Sequence, residues 1–234
     1  MNKKVMIITG TRKGIGHELA QYYLGKGYFV AGCSRGPGNI DHKGYTHYQL
    51  DISEEEAVIK MVRNVYRKYN RIDVLLNNAG IASMNHFILT PTDTAHKVFN
   101  TNFFGSFICI REAAKAMIKQ KYGRIVNFST VAVPLKLEGE AIYSASKSAV
   151  EMLTHVTAKE LGELGITVNA IGPTPVRTDL IKSVLSKKID ALLKAQAIHR
   201  FGEIDDIVNV IDFFIDDKSN FITGQILYLG GISR

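Results

Sequence analysis

The residues with the clearest chemical potential are a tyrosine and a lysine on one predicted helix, Tyr143 and Lys147. Their spacing is about one helical turn, so both side chains leave the same face. A lysine ammonium beside a phenol favours the phenolate and draws the phenol's pKa down from about 10. A phenol tuned in this way can pass a proton to or from a carbonyl oxygen. The same spacing occurs on ordinary solvated helices, so the pair needs support from the rest of the chain.

A glycine-rich turn near the start of the chain predicts a nucleotide site. Gly10, Gly14 and Gly16 follow the apolar run Val5–Thr9 and open an amphipathic helical pattern. Strand, glycine turn and helix form the context of a dinucleotide fingerprint, in which the backbone approaches a pyrophosphate at the helix N-terminus. The spacing departs from Gly-x-Gly-x-x-Gly, because three residues separate the first two glycines. A generic glycine turn of an α/β protein therefore stays an alternative.

Short apolar strands alternate with helical patterns along the whole chain. The predicted strands are Val5–Thr9, Tyr28–Cys33, Tyr45–Leu50, Val74–Asn77, Arg124–Phe128, Thr167–Ile171 and Gln225–Leu229. The predicted helices are Gly14–Lys26, Ser53–Tyr69, Asp93–Lys119, Ala141–Leu164 and Ile204–Asp216. This alternation predicts an α/β fold: a single Rossmann-type doubly wound parallel sheet with helices on both faces. No repeat or linker divides the chain, so residues 1–234 are predicted to form one domain.

Small and polar residues follow three of the predicted strands at the point where each strand ends. They are Asn77–Gly80, the pair Ser129 and Thr130, and the pair Gly172 and Pro173. The carboxyl ends of parallel strands share one edge of the sheet, and ligands bind there where the strand order reverses. We therefore expect these residues to meet the glycine turn and Tyr143 at one edge.

The composition limits the class of protein and its partners. The 234 residues are 46% hydrophobic and 22% charged, which is an ordinary globular balance. No apolar run approaches the ~20 residues of a membrane span, and no secretory signal opens the chain, so we predict a cytoplasmic protein without a membrane partner. Cys33 and Cys109 are interpreted as core thiols, and no metal site is predicted. The net charge is +7, but the sequence has no basic run interleaved with aromatic residues, which argues against a nucleic-acid partner. The positive charge suits an anionic cofactor or an acidic substrate carrier.

Three motifs in this order carry a family resemblance. Thr-Gly-x-x-x-Gly-x-Gly over Thr9–Gly16 is followed by Asn-Asn-Ala-Gly over Asn77–Gly80 and by Tyr143-x-x-x-Lys147. With them the chain resembles the short-chain dehydrogenase/reductase family over residues 4–231. The resemblance is greatest to the 3-oxoacyl-[acyl-carrier-protein] reductase type, which shares these motifs with many sugar, polyol and steroid reductases.

The resemblance implies a role for each candidate catalytic residue. Tyr143 would donate the proton to a substrate carbonyl, and Lys147 would lower the phenol's pKa and hold ribose hydroxyls. Asn102 matches the family asparagine that holds a water in the proton relay. The family serine that steadies the carbonyl oxygen is replaced by Thr130, which keeps the hydroxyl but adds a methyl group, and Ser129 stays an alternative.

The resemblance also implies a nicotinamide cofactor, and local charge indicates which one. A carboxylate after the second strand would bind the ribose 2′-hydroxyl of NAD(H), but Ser34 and Arg35 stand there instead. Arg12 and Lys13 add positive charge, and guanidinium suits phosphate, so we predict NADP(H). The cofactor-binding candidates are Gly10, Arg12, Lys13, Gly14, Ile15, Gly16, Ser34, Arg35, Asp51, Ile52, Asn78, Ala79, Gly80, Tyr143, Lys147, Pro173, Val176 and Thr178.

The predicted function is NADPH-dependent reduction of a ketone, with a 3-oxoacyl thioester, for example one on an acidic acyl-carrier protein, as the leading substrate. A polyol, sugar or other polar secondary alcohol is the alternative substrate, and a catalytically silent NADP-binding regulator is the alternative of another class. Residues 174–200 are predicted to form a lid with a helix over Asp179–Ile198. Helices over Asp93–Lys119 and Ala141–Leu164 resemble those that pair in family homodimers and homotetramers.

Overall fold

A parallel sheet at the centre of the fold carries every strand of the described chain. The computed structural model describes residues 3–176 and 186–232. Its strands are β1 Val5–Thr9, β2 Phe29–Ser34, β3 Tyr45–Gln49, β4 Val74–Asn77, β5 Gly123–Phe128, β6 Ile166–Gly172 and β7 Ile226–Tyr228. They pair in parallel in the order β3-β2-β1-β4-β5-β6-β7. The predicted doubly wound sheet is confirmed, and each strand begins and ends within one residue of its predicted bounds.

Helices follow most of the strands. They are α1 Gly14–Gly25, α2 Glu55–Tyr69, α3 Thr92–Phe99, α4 Gly105–Gln120, α5 Ala132–Leu135, α6 Ala141–Leu161, α7 Ser186–Ala195 and α8 Ile204–Ile215. Short 3-10 turns cover Phe87–Leu89, Gly162–Leu164 and Asp217–Ser219. Helix α7 lies within the predicted lid helix, whose first residues fall outside the described ranges. In the part of the chain that the structure describes, no helix combines the length and apolar character of a membrane span.

The alternating side chains of the strands divide the core between the two faces of the sheet. On β1, Val5 and Ile7 pack with apolar residues of α2 and α4, whereas Met6 and Ile8 pack with those of α1 and α8. Successive strand residues point to opposite faces, so a strand that is buried on both faces must be apolar throughout. The uninterrupted apolar run of β1 therefore follows from its central place in the sheet.

The helix predicted over Asp93–Lys119 is wrong as a single α-helix. Helix α3 ends at Phe99, a π-helical turn covers Asn100–Phe104, and α4 begins at Gly105. A π turn inserts one residue into the helical repeat and frequently marks a functional site. Here it buries Asn102 completely.

A crevice opens where the strand order reverses. Strand β1 lies between β2 and β4, so the connections that leave β1 and β4 diverge at their carboxyl ends. Two hydrogen bonds close the floor of the crevice: Asn78 Nδ2 donates to the Thr9 carbonyl at 2.9 Å, and Ala79 N donates to Thr9 Oγ1 at 2.9 Å. Within the described ranges, the predicted site residues follow strands at this edge, open α1 or lie on α6, except Asn102, which lies on the π turn.

Candidate active site

The glycine turn after β1 packs closely against the loop after β4 and requires residues without side chains. Gly10 and Gly14 have φ values of +79° and +60°, a region that favours glycine. A Cβ at Gly16 would overlap the Asn78 side-chain nitrogen and the Gly10 carbonyl oxygen. Ile15 lies between Gly14 and Gly16 in the first turn of α1, and the free N–H groups of that turn suit a phosphate. The turn therefore fits the predicted pyrophosphate cradle.

Positive charge stands beside this turn, after β2. Arg12 and Lys13 are exposed, and the Arg12 guanidinium lies against the backbone of Gly36. Ser34 Oγ donates to the Gly36 carbonyl at 2.9 Å, and Arg35 is exposed beside it. Guanidinium and hydroxyl groups without a neighbouring carboxylate in residues 34–40 are the donor set that a phosphate requires.

The segment after β3 is anchored before α2. Asp51 Oδ1 accepts hydrogen bonds from Ser53 N at 3.0 Å and from Ser53 Oγ at 2.8 Å. Ile52 is buried, and a Cβ added to Gly105 would lie 2.6 Å from its Cδ1 atom. The side chains of Asp51 and Ile52 thus fix the turn between β3 and α2, and their contact with the cofactor stays a prediction.

The loop after β4 reaches the catalytic residues. Asn78 and Ala79 bind β1 as described, and Gly80 continues toward α6. A Cβ added to Gly80 would lie 3.2 Å from Asn102 Oδ1 and 3.3 Å from Lys147 Nζ. Gly80 therefore brings the predicted cofactor loop within contact distance of two predicted catalytic side chains.

Asn102 locks this loop from the π turn. Its Nδ2 donates to the Ile81 carbonyl at 2.9 Å and to Ser146 Oγ at 3.0 Å, while its Oδ1 accepts from Ile81 N at 2.8 Å. Ser146 lies on α6 between Tyr143 and Lys147. The side chain of Asn102 is thus fully engaged in joining the β4 loop to the helix that carries the catalytic pair.

The hydroxyl that meets Tyr143 belongs to Thr130. The Thr130 side chain lies close enough to the phenol to lower the pKa of Tyr143, although burial raises that pKa overall. Ser129 instead donates to the buried carboxylate of Glu151, which also accepts from Tyr228 OH at 2.6 Å. The neighbouring hydroxyls therefore point to different partners, and Thr130 is the one beside the phenol.

Lys147 and Tyr143 do not interact as expected. Lys147 Nζ donates to the Phe128 carbonyl at 2.7 Å, and burial lowers the pKa of Lys147 to about 8. Burial raises the pKa of Tyr143 to about 12, against a smaller lowering by the Thr130 side chain. The prediction that the ammonium lowers the phenol's pKa is wrong for this structure, because removal from water outweighs it and the ammonium is bound to the backbone of β5.

Residues after β6 complete the crevice. The Pro173 carbonyl accepts from Val131 N at 3.3 Å, which ties this loop to the end of β5. Val176 is 7% exposed and forms an isolated parallel bridge with Gly202, so its side chain joins the core. Thr178 lies outside the described residues, and its predicted role is not tested.

Sequence reasoning missed three side chains that contribute to this edge. Glu151 was assigned only to a helix. Tyr45 and His47 lie two positions apart on β3 and hydrogen-bond to each other at 2.8 Å. Polar residues at period two on a strand were the available signal for this last pair.

Comparison with known proteins identifies the family of this chain. The family described as short chain dehydrogenase matches residues 4–189. The 3-oxoacyl-[acyl-carrier-protein] reductase FabG of Staphylococcus epidermidis is 32% identical, over 99% of this chain and 98% of that protein. The solved structure of ElxO with NADP bound is 33% identical with a TM-score of 0.89, over 98% of this chain and 97% of that one. A 4-hydroxyisoleucine dehydrogenase complexed with NADH is 31% identical with a TM-score of 0.87, over 98% of each chain.

The family match spans well over half of the chain, and the fold and the three motifs agree with it. This protein belongs to the short-chain dehydrogenase family.

Proposed function

We propose that this oxidoreductase reduces a ketone to a secondary alcohol with NADPH, and that its substrate is a 3-oxoacyl thioester. The observation that carries the proposal is the meeting of Thr130, Tyr143 and Lys147 at the edge where the glycine turn opens. A proton donor beside a nucleotide cradle is what carbonyl reduction requires.

The cofactor is NADP(H), and the residues of this chain fit it. Side chains larger than hydrogen at Gly10 or Gly16 would collide with Asn78 and with backbone atoms, so glycine keeps the turn in a shape that suits a pyrophosphate, and the exposed Arg12 and Arg35 offer cations for a 2′-phosphate. When bound, NADPH supplies the hydride. ElxO holds NADP, whereas the 4-hydroxyisoleucine dehydrogenase holds NADH, so the local charge of this chain is the deciding argument.

Side chains of this protein would donate the proton and stabilise the charge that its transfer leaves. With a pKa of about 12, Tyr143 is protonated at neutral pH, which is the state that reduction needs. Thr130 would hold the substrate oxygen beside the phenol, because its side chain already lies close to that group. Lys147, near Gly80 and with a pKa of about 8, can carry positive charge at neutral pH while the phenol gives up its proton.

An exposed apolar strip favours an acyl chain as substrate. Phe87, Ile88 and Leu89 are 69%, 79% and 72% exposed. The preceding Asn85 N donates to the Gly139 carbonyl at 2.9 Å, which ties the strip to the segment that leads into α6. Large apolar side chains exposed together commonly mark a binding surface. The FabG relative is named for a 3-oxoacyl thioester on a carrier protein, and the net charge of +7 suits an acidic carrier.

A polar substrate is the second candidate. Lys136 and Glu138 are exposed in the segment between β5 and α6, and one solved relative is named for 4-hydroxyisoleucine. A polar secondary alcohol would use the same proton donor, with these charged residues at the pocket wall.

Exposed apolar residues on the long helices support an oligomer. Phe107 on α4 and Met152 and Val156 on α6 are 37%, 62% and 45% exposed, and Phe221 near β7 is 97% exposed. Met152 and Val156 share one helix face. A homodimer through α4 and α6, doubled to a tetramer near Phe221, would cover them, and a monomer in sedimentation at micromolar concentration would refute it. The cytoplasmic location stays a prediction.

Turnover of a substrate panel tests the proposal. Wild type and Tyr143→Phe would be assayed by NADPH absorbance with 3-oxoacyl thioesters of increasing chain length, on coenzyme A and on carrier protein, and with polar ketones. We expect kcat/KM to rise with chain length and to fall in Tyr143→Phe by about 10²-fold or more. Reduction of polar ketones alone would select the second candidate. NADPH binding without turnover of any ketone would favour the alternative of another class, a catalytically silent NADP-binding regulator.

A further inference from the structure

A continuous chain of hydrogen bonds joins the glycine turn to the loop after β2. Thr11 Oγ1 lies 2.8 Å from Tyr45 OH, and that oxygen lies 2.8 Å from His47 Nδ1. On the other side of the imidazole, His47 Nε2 lies 3.0 Å from the Gly36 carbonyl and 3.1 Å from Ser34 Oγ. All of these side chains are at least partly buried. This chain of hydrogen bonds thus passes through β3 and connects the two segments whose residues are predicted to bind the cofactor phosphates.

The chemistry of the partners fixes the direction of each hydrogen bond. A carbonyl oxygen only accepts, so His47 Nε2 carries the hydrogen that faces Gly36. In the neutral ring Nδ1 then accepts, and it takes the Tyr45 hydroxyl hydrogen. The Tyr45 oxygen can in turn accept from Thr11 Oγ1. Ser34 Oγ gives its own hydrogen to the Gly36 carbonyl, so the single Nε2 hydrogen of His47 is shared between that carbonyl and Ser34 Oγ. With this shared hydrogen, the neutral tautomer protonated at Nε2 accommodates every bond of the network.

The loop rests directly on this imidazole. A Cβ added to Gly38 would lie 2.6 Å from the ring carbon Cγ of His47, and one added to Gly36 would lie 2.8 Å from an Arg12 guanidinium nitrogen. The position of the ring therefore sets the path of the loop, and the loop backbone supports Arg12.

Further contacts hold the ends of the same loop. Gln49 Nε2 donates to the Arg35 carbonyl at 3.1 Å, and Asn39 Nδ2 donates to the Arg12 carbonyl at 3.1 Å. Both of these bonds are exposed. Water can replace exposed bonds readily, so the partly buried imidazole is the firmer support.

We propose that His47, held in its tautomer by Tyr45, is a positioning residue that sets the enzyme's preference for a 2′-phosphorylated cofactor. It acts through the loop: by fixing Gly36 it places Ser34, Arg35 and Arg12 around one point. The proposal rests on the NADP(H) assignment. The phosphate is the group that distinguishes NADPH from NADH, so a displaced loop weakens binding of the phosphorylated ligand and spares the glycine turn.

Binding of two adenosine ligands to the full-length protein tests the role without turnover. Calorimetry would measure 2′,5′-ADP, which carries the 2′-phosphate, and 5′-AMP, which lacks it. We expect His47→Asn, which cannot reach Gly36 as Nε2 does, to weaken 2′,5′-ADP binding about tenfold and to change 5′-AMP binding less than about twofold. His47→Gln, whose amide nitrogen can replace Nε2, restores most of the preference.

Matched variants keep the outcome interpretable. Tyr45→Phe leaves the ring but removes its hydroxyl partner, and we expect about a threefold loss for 2′,5′-ADP. Thr46 lies between Tyr45 and His47 on β3, and its Oγ1 accepts a hydrogen bond from Lys68 Nζ at 3.2 Å. Thr46→Val should therefore change the affinity for neither ligand. If His47→Asn does not fold, judged by its thermal unfolding, Tyr45→Phe carries the test.

The outcomes separate this inference from the cofactor assignment. The role of His47 alone would be overturned if the wild type prefers 2′,5′-ADP but His47→Asn loses affinity equally for both ligands or for neither. A wild type that binds 2′,5′-ADP no more tightly than 5′-AMP would overturn the NADP(H) assignment and this inference with it.

Discussion

The ammonium of Lys147 donates a hydrogen bond of 2.7 Å to the carbonyl oxygen of Phe128, the last residue of β5. The catalytic helix is therefore tied to the strand that leads into Thr130. Lys147 is buried and Tyr143 is partly buried, and removal from water lowers the pKa of Lys147 to about 8 and raises that of Tyr143 to about 12. Burial makes each charged form less favourable, and this has a measurable consequence for stability.

The stability of the cofactor-free protein should depend on pH through Lys147. Its pKa is about 8 in the folded protein, against an ordinary lysine value of 10.5. Between these values the unfolded chain binds more protons than the folded one, so the free energy of unfolding rises with pH across this window. Lys147→Met cannot titrate. Its stability relative to wild type should therefore fall by about 3 kcal/mol from pH ~7 to pH ~10.5, measured by urea unfolding. A constant difference would show that the lysine pKa is not lowered.

The hydroxyl beside the phenol can be identified by paired variants. Thr130→Ala should lower kcat by about 10²-fold, because a group that steadies the developing oxyanion is lost, while Thr130→Ser should keep most of the activity. Ser129→Ala should instead cost about 1–3 kcal/mol of stability, because it removes one donor from the buried Glu151 carboxylate. Steady-state kinetics and thermal unfolding of the three variants check this. A larger loss of kcat in Ser129→Ala than in Thr130→Ala would reverse the assignment.

The different partners of Ser129 and Thr130 show how much of the site the sequence could predict. Short continuous apolar runs located the strands and period-3.6 apolar patterns located most helices, because burial on both faces of a sheet, or on one face of a helix, leaves a local signature. The choice between Ser129 and Thr130 depends on Glu151 and Tyr228, which lie far along the chain. No local pattern encodes that contact.

The π turn and the pKa of Tyr143 were mispredicted for related reasons. The residues of Asn100–Phe104 have no composition that distinguishes a π turn from an α-helix, and the hydrogen bonds of Asn102 to Ile81 and Ser146 cross between elements. The phenol's pKa was predicted from the charge of Lys147 alone, whereas burial by the surrounding fold is the larger effect. Both depend on tertiary packing.

The glycine turn offers a matched pair of substitutions on one helix. Gly16→Ala would drive a Cβ into the Asn78 amide and the Gly10 carbonyl, and the backbone contact cannot be relieved by a side-chain rotation. We expect NADPH affinity to fall at least about tenfold and stability by about 1–3 kcal/mol. Gly25→Ala has no atom within 4 Å of the new Cβ and should stabilise the protein by up to about 1 kcal/mol through helix propensity. Calorimetry with NADPH and thermal unfolding measure both, and equal effects would contradict the close approach at Gly16.

Asn102 can be separated from an ordinary buried amide by comparison with Asn169. Asn102 joins Ile81 and Ser146, whereas Asn169 donates to the Ile222 carbonyl at 3.0 Å and accepts from Gln225 N at 3.0 Å. Both are completely buried, so alanine at either should cost about 2–4 kcal/mol by leaving backbone groups unpaired.

The two variants should differ in catalysis, because only Asn102 holds the loop that passes Gly80 and Lys147. We expect Asn102→Ala to lower kcat by about tenfold or more and Asn169→Ala to change it less than about threefold, measured well below each variant's unfolding temperature. Equal kcat values in the two variants would mean that the π turn only stabilises the fold. A loss confined to Asn102→Ala would mean that the turn keeps the β4 loop in the position that the catalytic pair requires.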